Sequence, residues 1–301
     1  MCRNRRTAHG VCLLRKSGTC FSSDPYYGAD LMAPALWREH ASSERMGQLG
    51  RSVDAELWRD VGAFYHADLR NPCGPFVRAY GMDMTGYCAL VGLWIALAIG
   101  DPAPAPWPAS GGHHQGERVY GPVFALLRPE VPEDALPHLR RFTGPRTFER
   151  TFGETQATVL IERDLMMGAA TLKRRWDQQH PATIYWRPAP EEPLGWILLT
   201  GLNDGVAPVV ADRCLQLRRQ SKSDEPIQFL LRAPDLDEAA ATPGRWDLPG
   251  LCVAVEVAAG VTLDYVRWID HPRYGRCLEV GYSTPTEMAG RTQALSLRPE
   301  R

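Results

Sequence analysis

The chain has 301 residues, which is enough for one large domain or two domains of ordinary size. Its formal net charge is -1, and its arginines are scattered along the sequence. A nucleic-acid-binding protein usually carries a basic stripe, so this composition argues against nucleic acid and against an anionic membrane as partners. The longest apolar run, 88–99, is shorter than the roughly 20 residues that a membrane-spanning helix needs.

The eight cysteines are spread along the chain, and none forms a CxxC pair. This spacing gives no signal for structural zinc, and a chain of this length does not depend on a disulfide framework. We therefore expect mostly buried or free thiols, no metal and no cofactor.

Residues 1–20 contain several arginines but not the apolar segment of a secretory signal. We interpret them as a disordered extension or a misplaced start, ahead of a fold that begins near Phe21. A cytoplasmic location follows if this N-terminus is the native one, and otherwise the location stays open.

The first half of the chain shows the apolar spacing that is typical of helices. Asp30 is interpreted as the N-cap of the first helix, with Pro34 in its first turn. The third helix is apolar on nearly every side, so we expect it to be an inner helix that begins at Asp83 or Thr85 and ends before Gly100. The predicted helices are 30–40, 51–66, 83–99, 121–128 and 133–141.

After Gly144 the apolar residues follow the pattern of short strands separated by glycine, proline, asparagine and aspartate. Many short strands at this spacing predict antiparallel sheets packed as a sandwich. The predicted fold class is therefore α+β, with a helical domain over 21–143 and an antiparallel β-sandwich domain over 146–301. The predicted strands are 148–152, 156–161, 171–176, 183–187, 195–202, 207–218, 227–232, 251–257, 261–269 and 276–282.

Polar and aromatic residues of the helical half are concentrated in four loops, and loops held by rigid helices are frequent binding sites. Tyrosine and histidine can transfer protons, while arginine and asparagine can hold a carboxylate or a developing oxyanion. These loops make one site only if the fold brings them together. They are 24–30, 66–71, 78–83 and 112–114, with Tyr120 beyond the last.

The same residues also have structural interpretations. Asp30 and Asp83 suit N-cap positions, and the tyrosines suit the edge of a core. Arg78 has Asp83 as an ion-pair partner within reach in the sequence. The adjacent histidines, His113 and His114, cannot readily face one metal ion, so a solvated loop is expected there.

Four segments of the helical half resemble a known group of proteins. They are YYGADL at 26–31, ALWR at 35–38, NPCGPFVRAYGMDM at 71–84 and GLWI at 92–95. These segments are similar to those of six-hairpin, α/α-toroid proteins, a group that includes heparinase II/III-like polysaccharide lyases and several glycoside hydrolases. Many members follow the toroid with an antiparallel β-sandwich.

The chain departs from this group in two ways. It has room for only a few helices, so the resemblance implies a partial α/α-toroid whose earlier helices would precede residue 1. It also has Ser-Ser-Asp-Pro-Tyr at 22–26, where similar sequences have Asn-Ser-Pro-Thr-Tyr.

The resemblance implies a carbohydrate-active protein that binds a polysaccharide or oligosaccharide and cleaves it by β-elimination at a uronic acid. Tyr26 or Tyr80 would transfer protons, with His66 as the partner. An arginine or asparagine would neutralise the substrate carboxylate. The candidate substrate-binding residues are Asn71, Arg78 and Asp83.

Two alternatives remain open on the sequence. A glycoside hydrolase needs two carboxylates about 5–10 Å apart, for which Asp24, Asp30 and Asp83 are candidates. The chain would otherwise be a non-catalytic remnant or a carbohydrate-binding scaffold. The fold alone does not choose among these functions, and neither the substrate nor the oligomeric state follows from the sequence.

Overall fold

A computed structural model describes residues 24–100, 105–106, 113–152, 155–172, 178–200, 205–220, 225–285, 288 and 292–300. The chain forms two compact units. The helical unit comprises Met1–Pro72 and Arg78–Gly144, and the sheet unit comprises Cys73–Val77 and Pro145–Arg301. Helices and large antiparallel sheets occur together, so the predicted α+β class is confirmed. None of the described helices is long and apolar enough to cross a membrane.

The described helices of the helical unit correspond to the five that the sequence predicts, with shifted ends. They are joined by a 3₁₀ helix and by a pair of two-residue strands. The helices are α1 Asp24–His40, α2 Glu44–Phe64, α3 Leu90–Ile99, α4 Gly121–Leu127 and α5 Leu136–Arg140, the 3₁₀ helix is Gln115–Tyr120, and the strands are β1 Tyr65–His66 and β2 Asn71–Pro72.

The interpretation of Asp30 as an N-cap is wrong, because α1 begins six residues earlier, at Asp24. Pro25 therefore lies in the first turn, where the fixed φ angle of proline suits a helix and its missing N–H is not needed. Pro34 consequently lies inside the helix and not in its first turn. The start signal in the sequence was Pro25, not Asp30.

The predicted start of α3 is also wrong. The helix begins at Leu90, and Ala89 at its N-cap provides no side-chain hydrogen bond. Asp83 Oδ1 instead accepts hydrogen bonds from the Thr85 N–H at 2.8 Å and from the Thr85 hydroxyl at 2.6 Å. Such local bonds compete with helix formation and fix a turn. The predicted end is confirmed, since Gly100 adopts the left-handed conformation at the C-cap.

The core of the helical unit is built around α3, as expected for an inner helix. The Trp94 ring stacks on Phe124 at 4.4 Å between ring centroids and meets Trp58 edge-on at 6.3 Å. Trp94 Nε1 also donates a hydrogen bond to the Gly28 carbonyl at 2.8 Å. Gly28 packs directly against Leu90, so a larger residue there would collide with the start of α3.

The sheet unit contains two antiparallel sheets. The strands of the eight-stranded sheet are β3 Arg146–Phe152, β4 Thr155–Glu162, β5 Leu165–Ala170, β6 Ala182–Trp186, β7 Gly195–Leu199, β10 Ile227–Arg232, β14 Thr262–His271 and β15 Gly275–Ser283. Those of the six-stranded sheet are β8 Val206–Ala211, β9 Cys214–Arg219, β11 Ala241–Thr242, β12 Arg245–Leu248, β13 Leu251–Val257 and β16 Thr292–Glu300. The strand order of the first sheet is β14-β15-β10-β7-β6-β5-β4-β3, and that of the second is β11-β12-β13-β16-β9-β8.

Two strand predictions need correction, and some strands were not predicted. The segment 207–218 forms a hairpin and not one strand, because Asp212 and Arg213 both have positive φ angles, as a tight two-residue turn requires. Residues 171–172 lie outside any strand, and 173–176 lie outside the described residues. The strands that the sequence did not predict include β5, β12 and β16.

Side chains from both sheets contribute to one hydrophobic core. Phe229 of the first sheet meets Trp246 of the second at 5.4 Å between ring centroids. The Trp246 N–H donates a hydrogen bond to the Tyr282 hydroxyl at 3.2 Å. The core therefore joins the two sheets into a single folding unit.

The segment Cys73–Val77 belongs to the sheet unit although its neighbours in the sequence belong to the helical unit. Phe76 and His180 exchange two backbone hydrogen bonds, at 2.8 and 2.9 Å. A Cβ atom at Gly168 would collide with the backbone of Gly74, and one at Gly74 would collide with Thr183. The segment thus lies directly against β5 and β6.

Candidate functional site

Two of the four polar loops converge in the helical unit. The rings of Tyr80 and His114 stack with their centroids 4.1 Å apart and their planes 13° apart. The guanidinium carbon of Arg78 lies 5.6 Å from the centroid of the Tyr80 ring. Tyr80 and Arg78 are half-buried, and His114 is exposed. We call Arg78, Tyr80 and His114 the Tyr80 cluster.

Backbone hydrogen bonds hold the histidine loop beside the segment that precedes α3. The His113 carbonyl accepts a bond from the Cys88 N–H at 2.9 Å, and the His113 N–H donates to the Gly86 carbonyl at 3.3 Å. His114 follows in the left-handed conformation, with φ 58°, and precedes the 3₁₀ helix. For a residue other than glycine this conformation costs roughly 1–2 kcal/mol, and such strain is frequent at functional sites.

The Asn71 side chain holds the backbone at the end of the loop 78–83. Its amide nitrogen donates hydrogen bonds to the Met82 carbonyl at 3.0 Å and to the Pro72 carbonyl at 3.3 Å. Its amide oxygen accepts a bond from the Met84 N–H at 2.9 Å. The side chain is buried, so it fixes the backbone of 82–84. Asn71 therefore acts on the loop that carries Tyr80 through bonds to the backbone.

Replacing Asn71 with alanine is expected to destabilise the helical unit. The Met84 N–H and the Met82 carbonyl would lose their partner, and each unsatisfied buried group costs about 1–3 kcal/mol. Urea unfolding would measure this loss as a lower midpoint at an unchanged slope. Asn71→Asp keeps the acceptor and loses the donor, so it should lie between the wild type and Asn71→Ala. Equal stability of all three proteins would contradict the supporting role.

His66 is buried in β1 and lies opposite Asn71 in the strand pair. Its Nδ1 accepts a hydrogen bond from the Leu69 N–H at 3.2 Å. Its ring stacks on Phe142, with centroids 4.9 Å apart, and not on Tyr80. Tyr80 thus stacks on His114, and His66 stacks on Phe142.

Two predicted site residues remain, Asp83 and Tyr26. Asp83 uses Oδ1 for its two bonds with Thr85. Tyr26 lies in the first turns of α1, and its side chain is outside the described residues. The two bonds with Thr85 give Asp83 a structural role in the turn before α3.

The thiols of Cys73 and Cys88 are poor nucleophiles. Burial raises the pKa of the Cys73 thiol and that of the Cys88 thiol above their ordinary value, so both stay protonated. Among the described residues, no group of three or more histidine, cysteine or carboxylate side chains is placed to hold a metal ion. The chemistry available at the Tyr80 cluster is therefore that of tyrosine, histidine and arginine.

The sheet unit has a second group of aromatic and basic side chains, around Tyr274, that the sequence did not reveal. The Tyr274 hydroxyl lies 2.6 Å from His180 Nε2, and its ring stacks on His271 at 4.5 Å between centroids. Trp196 meets the same ring edge-on at 5.7 Å. Tyr274 and His180 are buried, which favours a structural role. His180 and Tyr274 lie 94 positions apart in the sequence. Predicting their contact would have required the strand pairing of the sheet and its register.

Residues 14–129 match the family model of DUF8769, a domain of unknown function. The match includes α1 to α4 and all three residues of the Tyr80 cluster, and it ends before β3. Comparisons with curated proteins and with solved structures gave no match.

Proposed function

We propose that the Tyr80 cluster binds an acidic polysaccharide or oligosaccharide and cleaves it by β-elimination at a uronic acid. The convergence of the loops 78–83 and 113–114 supports this proposal, because it brings a tyrosine, a histidine and an arginine together. The single observation that carries the proposal is the stacking of Tyr80 on His114.

The three side chains divide the reaction between them. Arg78 holds the uronate carboxylate through charge-assisted hydrogen bonds. A base removes the proton from the carbon next to that carboxylate, a carbon–carbon double bond forms, and the bond to the glycosidic oxygen breaks. The leaving oxygen takes up a proton. Tyr80 and His114 serve as the base and the acid, since both residue types transfer protons.

The structure favours elimination over glycoside hydrolysis as the proposal. Hydrolysis needs two carboxylates about 5–10 Å apart across the scissile bond. Of the three candidate carboxylates, Asp83 uses Oδ1 to hold Thr85, Asp30 is half-buried in α1, and the side chain of Asp24 lies outside the described residues. The ring stack of Tyr80 on His114 is the observation that leads us to propose elimination.

The same proposal extends to the fold. We infer a partial α/α-toroid in the helical unit and a β-sandwich in the sheet unit. The hairpin of α1 and α2, in which α1 packs against the inner helix α3, supports the first assignment. The common core of the two sheets supports the second.

Incubation with a panel of uronic-acid polysaccharides tests the reaction type. A lyase produces an unsaturated product that absorbs in the ultraviolet, whereas a hydrolase produces new reducing ends without that absorbance. We expect the ultraviolet signal on at least one acidic polymer and on no neutral polymer. Reducing ends alone would establish hydrolysis, and retardation on an affinity gel without either signal would establish a binding protein.

Conservative variants test the cluster residues. Tyr80→Phe keeps the ring and removes the hydroxyl, so kcat should fall about 100- to 10,000-fold with little change in KM. His114→Asn tolerates the left-handed backbone and removes the stacked ring, so kcat should fall by a similar factor. His113→Asn is the matched control, since this neighbouring exposed histidine has no ring stack in the cluster. Full activity of Tyr80→Phe would contradict the proposed role.

A further inference from the structure

Four neighbouring side chains of the sheet unit carry buried polar atoms that have no hydrogen-bond partner among the described residues. Two of these atoms are Nδ1 of His180 and Oγ1 of Thr183, and their residues are 0% and 1% exposed. The other two are the amide oxygens of Gln178 and Gln179, which are half-buried residues. Since most buried side-chain polar atoms in proteins have a partner, four exceptions within six consecutive residues point to a ligand. We call these four residues the His180 group.

Strand alternation places Thr183 on the face of the eight-stranded sheet that points away from the core between the sheets. The residues on either side of it in β6 belong to that core, and successive side chains of a strand point to opposite faces. The segment Cys73–Val77 lies over this position, with Gly74 against the Thr183 side chain. The backbone of Phe76 bonds to that of His180, and the two rings meet edge-on at 5.8 Å. Thr183 and His180 are therefore close neighbours on one stretch of the sheet.

The contact with Tyr274 determines what His180 can offer a ligand. The Tyr274 hydroxyl lies 2.6 Å from Nε2, so this nitrogen already has its partner. The ring is neutral, because burial lowers the pKa of His180 to about 3. A neutral imidazole has one nitrogen that donates and one that accepts. Whichever way the bond to Tyr274 runs, Nδ1 keeps one hydrogen bond for a ligand.

The surroundings of the His180 group distinguish between classes of ligand. Arg273 and His271 are the charged neighbours that lower the pKa of His180, and both are basic, so a cation is disfavoured. An anion is disfavoured as well. The amide oxygens of Gln178 and Gln179 accept hydrogen bonds, and an anion has no hydrogen to donate to them. A hydroxyl group both donates and accepts, so it can satisfy every member of the group.

We propose that the His180 group binds a neutral ligand with several hydroxyl groups, such as a sugar residue or a linear polyol. Its hydroxyls donate to the glutamine oxygens and bond to Oγ1 of Thr183 and Nδ1 of His180. The two half-buried glutamines form the more accessible side of this site. The site belongs to the sheet unit, so the inference does not depend on the proposed reaction at the Tyr80 cluster.

Calorimetric titration of the full chain with glucose, galactose, myo-inositol and glycerol tests this binding. We expect saturable binding of at least one of these probes. Thr183→Val keeps the shape of the side chain and removes its hydroxyl, so Kd should rise about tenfold through the loss of one hydrogen bond. Thr158→Val is the matched control and should keep the wild-type Kd. Tyr80→Phe should also keep it, which separates this proposal from the proposed reaction.

Urea unfolding without any probe shows whether each variant is folded and tests the unpartnered hydroxyl. The Thr158 hydroxyl accepts a hydrogen bond from the Val210 N–H at 2.7 Å, so Thr158→Val should lower the unfolding midpoint. The Thr183 hydroxyl has no such bond to lose among the described residues, so Thr183→Val should keep or raise the midpoint. A lower midpoint for Thr183→Val, with unchanged probe binding, would overturn the proposal.

NMR of the histidine ring nitrogens provides a readout at the site itself. The Nδ1 resonance of His180, identified by its loss in His180→Gln, should shift as the bound fraction of the probe rises. Inorganic phosphate should neither bind nor shift this resonance. Saturable binding of phosphate at His180 would overturn the proposal and identify an oxyanion site. Binding of none of the four polyols, or equal Kd values for wild type and Thr183→Val, would also overturn it.

Discussion

Acidification from pH 6.5 to about pH 4 is expected to weaken the sheet unit by about 3 kcal/mol, through His180 alone. Desolvation by burial, with smaller contributions from Arg273 and His271, lowers the pKa of His180 to about 3 from its ordinary 6.5. The folded protein keeps this side chain neutral, whereas the unfolded chain binds a proton below pH 6.5. Proton uptake stabilises the unfolded state, so the free energy of unfolding falls as the pH falls.

Urea unfolding at several pH values, followed by tryptophan fluorescence, measures this slope for the sheet unit. His180→Gln removes the titrating group. Between pH 6.5 and 4, its free energy of unfolding should therefore fall less steeply than that of the wild type, by about 1.4 kcal/mol per pH unit. The variant itself should be less stable at neutral pH, because it loses the bond to Tyr274. His113→Gln, at an exposed position, should keep the wild-type slope. If the free energy of unfolding of His180→Gln depended on pH as steeply as that of the wild type, this result would contradict His180 as the titrating group.

Replacing Arg38 with methionine is expected to destabilise the helical unit by about 3–5 kcal/mol. The buried guanidinium of Arg38 pairs with Asp54 of α2 and donates to the carbonyls of Leu127 and Arg128 at the end of α4. Above pH 7, where Asp54 is mainly ionised, methionine would leave this buried carboxylate without its charge partner, and at any pH it would leave two carbonyls without a donor. Three helices would thus lose their common contact.

Differential scanning calorimetry or urea unfolding of three variants separates these effects. Asp54→Asn in the Arg38→Met background removes the unpaired carboxyl, so it should recover part of the lost stability. Arg45→Met changes an exposed arginine of α2 and should stay within about 0.5 kcal/mol of the wild type. A double variant no more stable than Arg38→Met would show that the carboxyl is not the source of the loss.

The carboxyl of Asp54 also gives the helical unit a pH dependence of the opposite sign. Burial raises the pKa of Asp54 from 3.8 to about 7, against the lowering effect of Arg38. In this range the folded state holds a proton that the unfolded state has lost, so stability falls as the pH rises from about 4 to 7. The contributions of Asp54 in the helical unit and His180 in the sheet unit to the pH dependence of stability therefore have opposite signs.

Much of the fold follows from local patterns in the sequence. The strands 227–232 and 251–257 coincide with β10 and β13, because both are apolar runs bounded by polar or turn-forming residues. Gly100 ended α3 as expected, since a left-handed C-cap favours glycine. These features depend on residues that lie close together in the chain.

The errors arose where tertiary contacts decide the structure. The strand β5 consists of leucine, methionine, glycine and alanine, which have little intrinsic preference for strands, and burial between β4 and β6 stabilises it. The hairpin of β8 and β9 turns at Asp212 and Arg213 without a glycine to mark it. No local signal identified either feature.

The candidate site likewise combines features that the sequence predicts with features that depend on tertiary contacts. The sequence marks Tyr80, His114, His66 and Asn71 as polar residues in loops. It does not say which of them face solvent and which bond to the backbone. The ring stack of Tyr80 on His114 at 4.1 Å and the burial of the Asn71 amide both depend on long-range packing. This packing determines which polar residues face solvent and which bond to the backbone.

The passage of Cys73–Val77 into the sheet unit bears on how this gene can be divided by recombination. A fragment that begins at residue 145 would encode both sheets without the five residues that pair with His180 and lie against Gly168. A crossover anywhere between residues 78 and 144 would separate those residues from the strands that they contact. A single crossover in this range therefore cannot exchange the sheet unit whole, although each unit has its own core.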